Sequence, residues 1–515
     1  MSSDPSGSRT TAPAGAAAAD DLLALPAVRL AELVRTRALS PVELLEVHLA
    51  RLEAVEPAIN AVVARRVEAA RAEARAAEAA VRGARDRREL PPLLGVPCTI
   101  KDFLAVAGLS WTAGLFSRRH VLAEHDATVV ARLRAAGAIV VAKSNVPEGG
   151  MWMETSNPLY GRTRNPWDLA RTPGGSSGGE AALVAAGASP LGIGSDIAGS
   201  VRIPAGMCGV VGHKPTSLLV PNTGHWGPAG GAAEAMLCTG PITRTVADAE
   251  RVLELIAGPD GASAVERRLP PAEPALVAGD LRGVTVYPVT RHGRVRIAPV
   301  MAAAVERAAA ALAARGATVV ELDDATWRRL FGGNVLAWLA ALAETGRPEP
   351  GAAPTSFAAL LAGDEPLRVV PELWRAARGR ARYSLPTLGL VALERALRPF
   401  EAVLARGAPP VASLQAGLEE VLGPRGVLLH PPYSRPAPRH VWPLLTPFDA
   451  VCTSLFSITG LPATAVPVGF DAQHLPVGVQ VVGRRGADRL TLAAARALEA
   501  AWGGWTPAPV PRPAR

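Results

Sequence analysis

The sequence predicts an α/β fold, a large mixed sheet with helices covering both faces. Short apolar runs alternate with amphipathic stretches of roughly 10 to 15 residues, the pattern of strands joined by helices. With 515 residues, 49% hydrophobic and 19% charged, the chain can bury a sizeable core, which excludes overall disorder. Its four cysteines, Cys98, Cys208, Cys238 and Cys452, stand far apart with no C-x-x-C pair. That argues against a disulfide scaffold or a zinc cluster and for a reducing, cytoplasmic setting.

From the start of the chain, residues 1–19 are small and polar and read as a disordered tail, lacking the basic start and apolar stretch of an export signal. Residues 20–510 read as a single domain. Its first part, 20–90, is helical: Ser40-Pro41-Val42-Glu43 is a capping box with proline at the first helical position, followed by Leu44, Leu45, Val47, Leu49 and Leu52 at helical spacing. A second helix is expected over 62–85. The pattern then changes, with strands at 94–101, 138–142 and 191–195 and a helix at 128–136 between the first two. Further helices are expected at 244–257, 298–315 and 489–502, and strands at 283–289, 317–322 and 476–482. Residues 325–425 break this rhythm. They are mostly helical, rich in proline and arginine, and carry Trp327, Phe331, Trp338, Phe357, Trp374 and Tyr383. The uncharged run 450–470 is long enough to span a bilayer, but Pro462, Pro467 and its hydroxyl residues favour buried strands and loops.

The formal net charge is +8, yet only three of the basic residues are lysines: Lys101, Lys143 and Lys214. The arginines are spread without a dense block or interleaved aromatics, so the charge reads as a coding bias and not as a nucleic-acid surface. Arginine stays protonated, whereas a buried lysine can shed its proton and serve as a base. All three lysines fall in the stretch that also holds the densest Gly/Ser runs.

Two loops in that stretch, 174–179 and 192–199, each lead into an alanine-rich helical segment. Glycines let a backbone approach a ligand closely, and amides at a helix start gather around a negative oxygen. The second loop ends in Ser200, a hydroxyl beside free backbone N–H groups, as acyl transfer requires. Neither loop has the lysine of a phosphate cradle, and Gly192-Ile193-Gly194 has the wrong continuation for a dinucleotide fingerprint. Gly174-Gly175-Ser176-Ser177-Gly178 matches a nucleophile elbow, but the polar residues 165–173, with two prolines, cannot supply the strand an elbow needs. No metal-spaced His/Cys cluster occurs and the nine histidines are scattered, so neither metal nor cofactor is expected. A serine nucleophile without a histidine needs another base. Lys101, ending a buried strand, is the candidate; acting at neutral pH requires lowering its pKa by roughly three units, about 4 kcal/mol. The alternative for any of these lysines is a salt bridge.

Together, Gly95-Val-Pro-Cys-Thr-Ile-Lys101-Asp102, Gly174-Gly-Ser176-Ser177-Gly-Gly and Gly194-Ser-Asp196-Ile-Ala-Gly-Ser200-Val-Arg202 resemble the amidase signature enzymes. The likeness covers about 20–260 and resumes over about 440–500. Ser156-Asn-Pro-Leu-Tyr-Gly and Cys238-Thr-Gly-Pro look closest to the fatty acid amide hydrolase branch, second type. The resemblance implies the amidase signature fold, with a catalytic core over 91–260 and a variable substrate-pocket segment over 325–425. It implies a Ser-cisSer-Lys triad, in which Ser200 is the nucleophile, Lys101 the base and Ser176 the bridge between them. The backbone N–H groups of Ile197, Ala198, Gly199 and Ser200 would form the oxyanion hole, with Ala198 replacing the commoner glycine. Asp196, Arg202 and Ser177 would have structural roles near the site, and Met151 and Trp152 would line the acyl pocket. The implied activity is hydrolysis of a bulky apolar aryl or fatty acyl amide, extending to esters and carbamates. The expected partner is that small molecule alone, bound by a monomer or homodimer without nucleic acid or membrane span. The family also contains a component of the aminoacyl-tRNA amidotransferases, which is the alternative, and a binding protein that has lost catalysis would have lost part of the triad.

Overall fold

Eleven strands hydrogen-bond into one mixed sheet in a computed structural model that describes residues 14–227, 231–345, 356–362, 367–397, 399 and 406–510. In chain order the strands are β1 (Val62–Arg65), β2 (Pro97–Lys101), β3 (Ile139–Ser144), β4 (Ser156–Asn157), β5 (Gly161–Arg162), β6 (Leu191–Asp196), β7 (Val211–Lys214), β8 (Cys238–Thr243), β9 (Thr285–Pro288), β10 (Thr318–Val319), β11 (Gly426–His430), β12 (Ala463–Phe470) and β13 (Pro476–Gly483). β4 and β5 form a separate hairpin, and the large sheet runs β1-β3-β2-β6-β8-β7-β12-β13-β11-β9-β10. Pairing is parallel for β3-β2-β6 and for β11-β9-β10, and antiparallel elsewhere.

The period of two along a strand decides which helices cover which face. On β3, Val140 joins a core with the helices Thr128–Ala135 and Val246–Ile256. Its neighbours Ile139 and Val141 point the other way, into a core with Leu45, Leu49 and Leu52 of the helix Pro41–Ile59 and with Ala182 and Leu183. At the other end of the sheet, Val427 and Leu429 face the first core while Leu428 packs with Phe331, Leu418 and Phe456. Both faces are covered, as expected.

The helix Pro41–Ile59 begins where the sequence places it, with the Ser40 side chain accepting from the Val42 and Glu43 N–H groups. Several elements differ from expectation. The expected helix over 62–85 is strand β1, an edge strand pairing with β3, followed by the helix Val67–Gly83. The run 450–470 divides into a buried helix, Val451–Ile458, and strand β12. A helix, Ala14–Ala24, starts within the expected tail, because its alanine run has high helix propensity; residues 1–13 of that tail lie outside the described residues. The sequence pattern does not predict strands β4, β5, β7, β8 and β11. The segment after residue 323 is helical as expected, with helices including Asp324–Phe331, Phe357–Ala362, Val369–Ala377 and Leu385–Leu397. Among the described residues, no helix is long and apolar enough to cross a membrane.

Candidate active site

Three adjacent strands and two helix starts build the site. β2 ends at Lys101, which is 1% exposed. Its Nζ lies 2.8 Å from Ser176 Oγ and 3.1 Å from the Ser195 carbonyl on β6, with the Phe103 ring centroid 4.8 Å away. Burial drives the ammonium down to about 7, against the opposing pull of Asp196 and Glu180. Its sequence neighbour Asp102 pairs instead with Lys143, at 2.7 Å, and accepts from Thr112 Oγ1 at 2.5 Å. The salt-bridge role therefore falls to Lys143. Lys214 is also buried, with its Nζ 2.9 Å from the Pro215 carbonyl.

Ser176 precedes the helix Gly178–Ala185, and the Gly175–Ser176 peptide is cis. The neighbouring Ser177 ties this turn to the second loop: its N–H donates to the Ser200 carbonyl at 3.1 Å, and its Oγ lies 3.3 Å from the Ser195 carbonyl. Ser200 stands between β6 and the helix Arg202–Cys208, partly exposed where Ser176 and Lys101 are buried. The sheet thus brings Lys101, Ser176 and Ser200 from three separate segments to one corner.

Asp196 organises the loop. It accepts from the Gly199 N–H at 2.6 Å, the Val201 N–H at 3.1 Å, and Arg202 Nε and Nη2 at 3.0 and 2.9 Å. Burial alone would raise this carboxyl, but the Arg202 guanidinium beside it holds it down at about 2. Arg202, wholly buried, spends its other donors on the Thr453 carbonyl, Gln480 Oε1 and Ser457 Oγ. Such a pair is tolerable in a core only because each lone pair and N–H is met. Gly199 has φ of 127°, and a Cβ there would come within 2.1 Å of Thr453 Oγ1, which donates to the Ala198 carbonyl at 2.5 Å. Of the four expected oxyanion donors, the Gly199 N–H is already committed to Asp196. Ala198 keeps a negative φ.

Met151 packs against a buried apolar group that combines Phe103, Leu115 and Val146 with Leu361, Tyr383 and Leu388 of the 325–425 segment. The backbone carbonyl of Trp152 abuts Gly175, next to Ser176, and its indole Nε1 is buried without a hydrogen-bond partner among the described residues. Glu148 fastens the same segment: its Oε2 accepts from the Ser384 N–H at 2.7 Å and from Thr387 Oγ1 at 2.8 Å.

Sequence reasoning missed two ionisable neighbours of Lys101. His225 places Nε2 2.9 Å from Ser195 Oγ and stacks on Phe103, and burial beside Lys101 lowers it to about 3, so it is neutral. Glu180 lies in the first turn of the helix after Ser177. Neither carries a motif of its own. Among the described residues, His292, His430 and Cys452 bring ligand atoms within 4.8 Å of one another, the group that could hold a metal. The two imidazoles already hydrogen-bond each other at 3.0 Å, and their wide sequence separation hid the cluster.

Residues 43–345 match the family model described as Amidase. Fatty-acid amide hydrolase 2-A of Danio rerio is 37% identical over 499 residues, covering 94% of this chain and 90% of the relative. A glutamyl-tRNA(Gln) amidotransferase chain of Roseiflexus castenholzii is 33% identical over 469 residues, covering 90% of this chain and 93% of the relative. The crystal structure of a bacterial aryl acylamidase superposes with a TM-score of 0.72 at 25% identity, covering 95% of this chain and 99% of its own. The chain belongs to the amidase signature family. It is an amide hydrolase with that family's mixed-sheet fold.

Proposed function

We propose that this enzyme hydrolyses amides with a bulky apolar acyl group, aryl or fatty, through an acyl intermediate on Ser200. The contact of 2.8 Å between a buried, readily discharged Lys101 and Ser176 carries this reading. Neutral Lys101 takes the Ser176 proton as Ser176 takes the proton of Ser200. The freed Ser200 oxygen attacks the carbonyl carbon, and the oxyanion that forms is met by the N–H groups of Ile197, Ala198 and Ser200, the Gly199 N–H being held by Asp196. Collapse breaks the C–N bond, and the amine leaves with the proton returned through Ser176. Water then loses its proton along the same path and releases the acid. The apolar group around Phe103, Met151, Leu361 and Tyr383 supports a bulky hydrophobic acyl chain. Esters and carbamates offer the same carbonyl and are substrates of the same machinery. Buried, unpaired thiols suit action in the cytoplasm.

A fluorophosphonate tests this directly. One label per chain, lost in Ser200→Ala, is the expected result; undiminished labelling of Ser200→Ala overturns the assignment. Cleavage of aryl and long-chain amides by the purified chain alone separates a free-standing hydrolase from a component that needs tRNA and partner chains.

A further inference from the structure

The reaction above leaves unused a buried carboxyl close to its base. Glu180 is fully buried, and its Oε2 lies 2.6 Å from Thr99 Oγ1. Thr99 and Lys101 are two residues apart on β2 and therefore share a face. Ser176, in contact with Lys101 Nζ, lies just ahead of the helix Gly178–Ala185 that carries Glu180 in its first turn. On the neighbouring strand β6, Gly192 pairs with Thr99 and leaves room for the carboxyl: a Cβ there would come within 2.0 Å of Glu180 Oε2 and 3.2 Å of Thr99 Oγ1. Glu180 forms no ion pair among the described residues, and the cation acting on it is Lys101.

We propose that Glu180 is a positioning residue for Lys101, a buried carboxyl whose charge stabilises the ammonium that forms when the amine takes up the serine proton. This rests on Lys101 being the base. Burial pushes the Glu180 carboxyl up to about 7, against Thr99, Ser144 and Lys101, while burial brings Lys101 down to about 7. The two groups titrate as a pair. Amine with carboxylic acid and ammonium with carboxylate have the same net charge, so a proton can change sides without leaving the cavity. The other groups around the pair are Asp196 on β6, itself held by Arg202 and Lys214, the neutral His225 from the loop after β7, and the un-ionised thiol of Cys98 on β2.

Glu180→Gln removes a negative charge that raises Lys101. Its pH profile for fluorophosphonate inactivation should therefore become that of a single titrating amine, with the acid limb moved down by about one unit, so that at pH 6 the fraction of plateau reactivity rises roughly fivefold. The plateau itself should fall about tenfold, because the amine becomes a weaker base. Glu180→Asp, which keeps the charge, should return the limb toward its original position, a rescue that a packing role alone would not give. An unmoved limb in Glu180→Gln overturns the proposal. If that variant does not fold, Thr99→Val decides: weakening the carboxylate's hydrogen bond must move the limb the same way by a smaller amount, and no movement overturns the inference. Lys101→Ala is measured alongside. Full reactivity there removes the base itself, whereas an inert Lys101→Ala with an unmoved Glu180→Gln removes only the part assigned to Glu180.

Discussion

The two walls of the site are built by opposite means. On the strand side, Lys101, Lys143, Glu180, Asp196 and Arg202 are each no more than 1% exposed, and β2, β3, β6 and the helices that follow the loops fix their positions. On the other side, the helices Phe357–Ala362, Val369–Ala377 and Leu385–Leu397 reach the site through an apolar patch and the Glu148 anchor, and leave Val370, Trp374 and Leu385 more than half exposed. A dehydrated floor of charges cannot shift without unpairing something costly, whereas apolar helices can be repacked for less than about 1.5 kcal/mol per well-matched substitution. Under the function proposed above, chemistry would belong to the first wall and the fit of the substrate to the second.

If that division holds, the largest effect comes from the base. Lys101→Arg should lose at least about a thousandfold in kcat/KM, nearly as much as Lys101→Ala, because a guanidinium cannot accept the proton. Turnover of the arginine variant within tenfold of the unaltered enzyme would remove Lys101 from the relay. In the unaltered enzyme, the neutral amine is needed, so kcat/KM should rise with pH through an acid limb near 7 and be lost below it.

The next effect is on stability. Asp196→Asn leaves Arg202 charged and buried with its principal partner gone, and should cost roughly 3–5 kcal/mol in a urea titration. Joint replacement, Asp196→Leu with Arg202→Met, should recover part of that loss. A double variant less stable than Asp196→Asn would mean that this pair contributes more than mutual neutralisation.

How much of each wall could be read from the sequence follows the same division. Lys101, Ser176 and Ser200 stood out by residue type and motif spacing, and the alternation of strands and helices carried the fold class. Strand β1 reads as helix in the sequence because Val62–Arg65 runs into an Ala/Arg/Glu-rich helix, and only its pairing with β3 makes it extended. The helix Val451–Ile458 is buried all round, so its sequence shows no periodicity to distinguish it from a strand. Glu180 and His225 acquire meaning through partners 81 and 30 residues away, Thr99 and Ser195, and nothing local marks them. The aromatics of the 325–425 segment are visible in the sequence, but which of them are buried depends on helix placement: Tyr383 is buried in the apolar group that holds Phe103 while Trp374 is exposed.

The smallest predicted effect tests the second wall directly. Glu148 holds the first turn of the helix Leu385–Leu397 by accepting from the Ser384 N–H and the Thr387 hydroxyl, and that helix presents Leu388 and Val391 to the group shared with Phe103 and Met151. Glu148→Ala leaves the Ser384 N–H unpaired and the Thr387 hydroxyl with Ser384 Oγ as its remaining partner, and loosens the helix start, at a cost of about 1–2 kcal/mol locally. Because none of the reacting groups moves, kcat should change by less than about twofold. KM for a long-chain or aryl amide should rise by roughly five- to tenfold, since uniform binding of the apolar group is what is lost. A short acyl amide, too small to reach Leu388, should show unchanged KM. Should kcat fall with KM unmoved, or should short and long acyl groups suffer alike, then Glu148 acts on the floor of the site and the separation between the two walls is wrong.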